Sequence, residues 1–83
     1  MDINIKELED KVLTYLYETR LVSPQSLTKI KIATELGDDR GDVRVLKSCL
    51  DSLIQKELIK KQEIRGNYKI DLAGIEQIEK NQN

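Results

Sequence analysis

Apolar residues recur at helical spacing from the start of the chain. Ile5, Leu8, Val12 and Leu16, with Leu13 beside them, make one stripe, the mark of an amphipathic helix. Asn4 with Glu7 three residues on is a capping-box pattern, and acids in a first turn suit the helix dipole. Arg20 is expected in the last turn. Ser23-Pro24 then breaks the pattern, since proline disfavours helical geometry in the residue before it. The spacing predicts a helix from about Ile5 to about Leu21.

SLTKIKIATELG predicts a second, short helix, Lys29 to Leu36. Thr28 is its expected N-cap, Ile32 and Leu36 its inward pair, and Gly37 the left-handed residue that closes it. Ala33 is small enough to admit a neighbouring helix. A helix of barely two turns must be held by its neighbours. The third helix is expected after Asp38-Asp39, with Asp39 as cap and Asp42 complementing the dipole. Val43, Leu46, Leu50, Leu53 and Ile54 fall on its inward face, and residues 41, 44, 48, 51 and 55 point away. It should end near Glu57.

IKKQEIRGNYKIDL reads as a β-hairpin. A loop of Arg65-Gly66-Asn67 pairs Ile64 with Tyr68, Gln62 with Ile70 and Lys60 with Leu72. That register collects Ile64, Tyr68, Ile70 and Leu72 on one face and Lys61, Glu63, Arg65 and Lys69 on the other. A two-residue Gly-Asn turn would scatter the apolar residues over both faces. Asp71 can cap a last helix through Leu72, Ile75 and Ile78, leaving the tail KNQN frayed.

Composition narrows what these elements can do. With 83 residues the chain is a single domain, its core at about 5–80 and free of internal repeats or linkers. A domain of that size buries roughly 60% of its unfolded surface. There is no Phe or Trp and there are three tyrosines, so aliphatic residues must supply the core. No apolar run approaches the ~18 residues of a membrane span. MDINIKELED lacks the basic start and apolar centre of a signal peptide, so a cytoplasmic, membrane-free protein is expected. The chain has one cysteine and no histidine. An internal disulfide, a Cys/His metal site and histidine acid–base chemistry are thereby excluded. Cys49, beside Leu46, Leu50 and Leu53, reads as a half-buried packing thiol. Neither a convergent carboxylate pair nor a glycine-rich phosphate loop occurs. The expectation is a protein that is not an enzyme and uses no cofactor.

The net charge of −1 gives no overall pull toward nucleic acid, but its distribution is uneven. Residues 60–71 carry Lys60, Lys61, Arg65 and Lys69 against Glu63 and Asp71, and every other segment is slightly acidic.

Helix, short helix, tight turn, longer helix, hairpin, short helix is an order with a known counterpart. LTKIKIATELG followed by DDRGDVRVLKSCLDSLIQKELIKK resembles the second and third helices of the winged helix-turn-helix family, of the small prokaryotic transcriptional-regulator type. Ala33 stands at its small-residue position, Gly37 in its turn, and Val43 and Leu46 on its buried side. LIQKELIKKQEIRGNYKIDLAGIEQIE is similar to the run from the end of its third helix through the wing. The resemblance covers about Lys6 to Lys80. It implies an α+β, mainly α fold: a three-helix core, a β-hairpin wing and a short C-terminal helix.

The resemblance also implies a partner, double-stranded DNA, with the third helix in the major groove and the wing on the backbone. Carried onto this chain it nominates Arg40, Gly41, Arg44, Val45 and Ser48 for base contact. Lys29, Lys31, Lys60, Lys61, Arg65, Gly66 and Lys69 are nominated for backbone contact. An arginine on the outward face can make the bidentate contact to guanine, and each neutralised phosphate adds to the salt dependence. Each residue has a plainer use. Arg44 can pair with Asp51 or Ser48, Lys60 and Lys61 can shield a strand edge, and Tyr68 can simply pack. Arg40-Gly41-Asp42 spells an adhesion tripeptide by chance.

Asp38, Asp39 and Asp42 are the objection, since they put three negative charges where phosphate would approach. A monomer with such a turn should bind weakly. A two-fold homodimer, formed through MDINI or through Leu72, Ile75 and Ile78, would double the contacts. The competing expectation is a winged-helix adaptor that uses the aspartate-rich turn on a protein partner.

Overall fold

Four helices and one antiparallel hairpin make up residues 4–81, the stretch of the chain that the computed structural model describes. The elements are α1 (Ile5–Glu18), α2 (Leu27–Ala33), α3 (Arg40–Gln55), β1 (Ile59–Lys61), β2 (Tyr68–Ile70) and α4 (Leu72–Asn81). The protein is therefore α+β and mostly helical.

Local caps set the helix starts. The Asn4 side chain accepts from the Glu7 N–H at 3.2 Å, and Asp39 does the same for Asp42 at 2.9 Å. Asp71 accepts from the Leu72 N–H at 2.8 Å. From α1, Leu8, Val12, Leu13 and Leu16 are buried, whereas Ile5, expected with them, is 49% exposed at the helix tip. α1 stops at Glu18, short of Leu21, where the backbone tightens into i→i−3 turns: the Arg20 N–H donates to the Tyr17 carbonyl and the Val22 N–H to the Thr19 carbonyl. Arg20 lies beyond the helix; its guanidinium covers the Tyr17 ring and donates to the Tyr17 carbonyl.

The second helix is shifted from its expected position. Ser26, not Thr28, caps it, accepting from the Lys29 N–H at 3.2 Å. The earlier start rotates the helix so that Ile30 is fully buried and Ile32 is 69% exposed. Its end moves back to Ala33, and Glu35 rather than Gly37 takes the left-handed conformation (φ 62°). Ala33 is exposed and mediates no close helix packing. Ahead of α2, Gln25 forms a two-way backbone bridge with Tyr68, both N···O distances 2.8 Å, which ties a third stretch of backbone to the hairpin. Gln25 is buried, and its side chain is satisfied by the Tyr15 hydroxyl and the Ser23 carbonyl.

α3 follows its expected faces. Leu46, Cys49, Leu50 and Leu53 are buried, Val43 and Ile54 half-buried, and residues 41, 44, 48, 51 and 55 exposed. The helix closes at Gln55, with Glu57 in the left-handed region (φ 62°). Cys49 is fully enclosed, and burial, then the Glu9 carboxylate, push its thiol up to about 11. Folded protein should not react with a thiol reagent at neutral pH, and reactivity should appear with unfolding; fast labelling of folded protein would contradict this burial. Between the ordinary thiol value of 9.0 and about 11 the unfolded chain loses a proton that the folded protein keeps, so stability falls as pH rises there.

The hairpin register differs from the expected one by three residues. Ile59 pairs with Ile70, Lys60 with Lys69 and Lys61 with Tyr68. An odd shift exchanges the faces of one strand. Ile59 consequently enters the core with Leu58, Tyr68 and Ile70, and Ile64 is left 97% exposed. Ile59 thus replaces Ile64 as the inward isoleucine, at the foot of the hairpin next to α3. The loop is Glu63–Gly66, closed by Gly66 N–H to the Gln62 carbonyl (3.0 Å) and Gln62 N–H to the Asn67 carbonyl (2.7 Å). Gly66 supplies the positive φ (69°) that this closure requires.

α4 lies on α1, with Ile75 and Ile78 half-buried against the core and Leu72, expected inward, 73% exposed. Lys80 and Asn81 are helical rather than frayed. Of the MDINI stretch, residues 1–3 lie outside the described residues, as do residues 82 and 83 of the tail.

Candidate nucleic-acid interface

The outward face of α3 carries Arg40, Gly41, Arg44, Lys47 and Ser48, all exposed. Arg40, Arg44, Lys47 and Ser48 line a shallow groove of about 410 Å³ that runs from Asp38 to Asp51. Val45 does not join them: it is half-buried and packs on the core. Lys47 does join, although the spacing argument had not nominated it. Its signal was available as the residue one helical step (i, i+3) beyond Arg44.

Each aspartate of the turn before α3 is committed within the protein. Asp38 forms an ion pair and hydrogen bond with Lys31. Asp39 accepts from the Asp42 N–H, and Asp42 accepts from the Gly37 N–H at 2.7 Å. The Lys31 ammonium, by hydrogen bond and by charge, holds Asp38 below its ordinary value, so its carboxyl is ionised at neutral pH. Arg40, Arg44 and Lys47 are in no ion pair among the described residues. Each turn carboxylate thus has one contact within the protein, but the Asp38 side chain remains 91% exposed and its charge faces solvent beside Arg40, Arg44 and Lys47.

That arrangement changes the standing of Lys31. Its side chain is only 18% exposed and is engaged with Asp38, which takes it out of reach of an outside phosphate. Lys29, in the first turn of α2, is exposed. On the hairpin, Lys60, Lys61, Arg65 and Lys69 are all exposed. Lys60 lies 3.8 Å from Asp71, and the Lys61 ammonium is 5.7 Å from the centre of the Tyr68 ring. Arg65 and Lys69 have no ion-pair partner among the described residues. Tyr68 itself is buried and packs, so it offers no stacking platform.

No group of three potential metal-ligating side chains occurs among the described residues, and none of their helices is long and apolar enough to cross a membrane. No protein-family model matches the chain, and neither a curated protein nor a solved structure matches it.

Proposed function

We propose that this protein is a winged helix-turn-helix domain that binds double-stranded DNA, α3 entering the major groove and the β1–β2 hairpin lying on the backbone as the wing. The observation that carries the reading is the charge arrangement of the α2–α3 turn. Each of its aspartates is engaged by Lys31 or a backbone N–H, while Arg40, Arg44 and Lys47 are exposed on the same helix and in no ion pair among the described residues. The element order and the bridge from Gln25 to Tyr68, which ties the segment before α2 to the hairpin, also support it. Arg44 and Ser48, one turn apart, are placed for base edges, with Arg40 and Gly41 at the helix start. Lys29, Lys61, Arg65 and Lys69 serve the phosphates, with Gly66 at the tip. The role is that of a small transcriptional regulator.

Exposed Leu21, Val22 and Leu72 give the dimer a surface, since Ile75 and Ile78 are partly spent on the monomer's own core. The same apolar residues favour the second reading, an adaptor domain that binds protein and not DNA. Fluorescence anisotropy with labelled duplex at about 50 mM salt and above tests the first reading, because phosphate contacts make affinity fall steeply with salt. Absence of duplex binding at low salt sinks it.

Asp38→Asn separates the two readings further. Releasing Lys31 and removing one negative charge should raise DNA affinity severalfold in the same titration. Under the adaptor reading DNA binding stays absent, and capture of the protein partner weakens.

A further inference from the structure

Ile64 is the side chain that a phosphate-binding hairpin leaves unexplained. It stands in the loop Glu63–Gly66 with 97% of its surface in water. Turns are ordinarily built from Gly, Asn, Asp and Ser, and a stiff β-branched residue contributes nothing to forming one. The two backbone bonds that close the loop hold Ile64 on a structured tip rather than on a loose segment. Around it the charge is mainly positive: Lys61 and Arg65 are close in sequence, Lys60 and Lys69 pair across the strands behind, and Glu63 is the loop's one acid.

An apolar apex on a cationic stem fits a partner that is anionic outside and apolar within. A phospholipid surface has that chemistry, but one isoleucine embeds too little apolar area to hold a protein there. A DNA duplex needs only one side chain, because a single apolar wedge can unstack a base step in the minor groove while phosphates on both rims meet cations.

Resting on the DNA-binding reading above, we propose that Ile64 is such a wedge. It enters the minor groove at a flexible pyrimidine–purine step and kinks the duplex, while Lys61 and Arg65 hold the phosphates beside it. Preference for deformable sequence then comes from the hairpin, independently of base reading by α3.

The test uses the full chain and two labelled duplexes, one of alternating dA-dT and one a stiff A-tract, with donor and acceptor dyes at their ends. Wild-type protein is expected to shorten the end-to-end distance of the alternating duplex and to prefer it over the A-tract. Ile64→Ser should bind the alternating duplex about tenfold more weakly, from loss of one buried aliphatic side chain, and leave it straight. Ile64→Met should restore most of both effects. Thermal melting should be unchanged in both variants, as the side chain touches no core.

Equal binding and bending by wild type and Ile64→Ser overturns the wedge and leaves the DNA reading standing. So does binding without bending by the wild type. Wild-type binding to phosphatidylserine vesicles that is lost in Ile64→Ser, with DNA behaviour unaltered, assigns the tip to lipid and also overturns it. Failure of the wild type to bind either duplex overturns the wedge, and failure on a mixed-sequence duplex at about 50 mM salt as well removes the DNA reading with it.

Discussion

Gly74→Ala should destabilise the protein by about 3 kcal/mol, the upper end of the range for overpacking a filled site. A Cβ at Gly74 would stand 2.3 Å from the Leu58 carbonyl oxygen and 2.7 Å from Ile70 Cγ1. The Leu58 oxygen cannot yield cheaply, because it accepts the Asp71 N–H at 2.9 Å at the junction between β2 and α4. Alanine in a helix interior is ordinarily better than glycine by about 1 kcal/mol, so the expected sign is opposite to the propensity rule. In a domain of this size the loss should lower Tm by roughly 15 °C, measured by circular dichroism melting. Ala73→Gly, one residue earlier on an exposed position, is the control and should lose only about 1 kcal/mol. A Gly74→Ala Tm equal to or above wild type would show that α4 does not press on Leu58 and Ile70 as described.

The largest functional effect is expected from Arg44→Ala, which should weaken duplex binding about tenfold to a hundredfold, the worth of one bidentate base contact. Arg44 is exposed and in no ion pair among the described residues, so thermal stability should not move. Converting Lys61, Arg65 and Lys69 together to alanine should act differently. The logarithmic salt dependence should flatten by about 3, roughly one per lost phosphate contact, with affinity falling alike on every sequence. Titrations of the same duplex across a salt series distinguish the two outcomes. A slope unchanged by the triple substitution would place the hairpin away from the backbone and favour the adaptor reading.

The helix starts were legible in the sequence where one side chain could reach one free backbone N–H a turn away. Asn4 and Asp39 were read correctly for that reason, and the inward stripe of α3 followed from spacing alone. α2 failed the same approach because Ser26 and Thr28 are both plausible caps. Pairing of Gln25 with Tyr68, a contact 43 residues away, fixes the chain just ahead of Ser26. The choice then rotates Ile30 inward and Ile32 outward, which no pattern within seven residues could decide.

The candidate site divides the same way. That Gly41, Arg44 and Ser48 lie on the outward face of α3 was readable from the helical period. That Asp38 holds Lys31 and Asp42 holds the Gly37 N–H was not, since both depend on how α2 and α3 meet across the turn. From sequence these aspartates are charges facing DNA; folding gives each a partner in the protein while leaving Asp38 exposed.

By itself, then, the sequence determined the starts of α1, α3 and α4, the amphipathic faces of α1 and α3, and the concentration of bases on the hairpin. These are set within one or two turns, by hydrogen bonds and periodicities that do not wait for tertiary contacts. The tertiary structure decided the hairpin register, the rotation of α2 and the commitment of the turn aspartates. In each of these the local pattern admits more than one arrangement, and contacts between elements select the one in which Ile30 and Ile59 are buried. That choice removes Ile64 from the core and places it, exposed, on the hairpin tip.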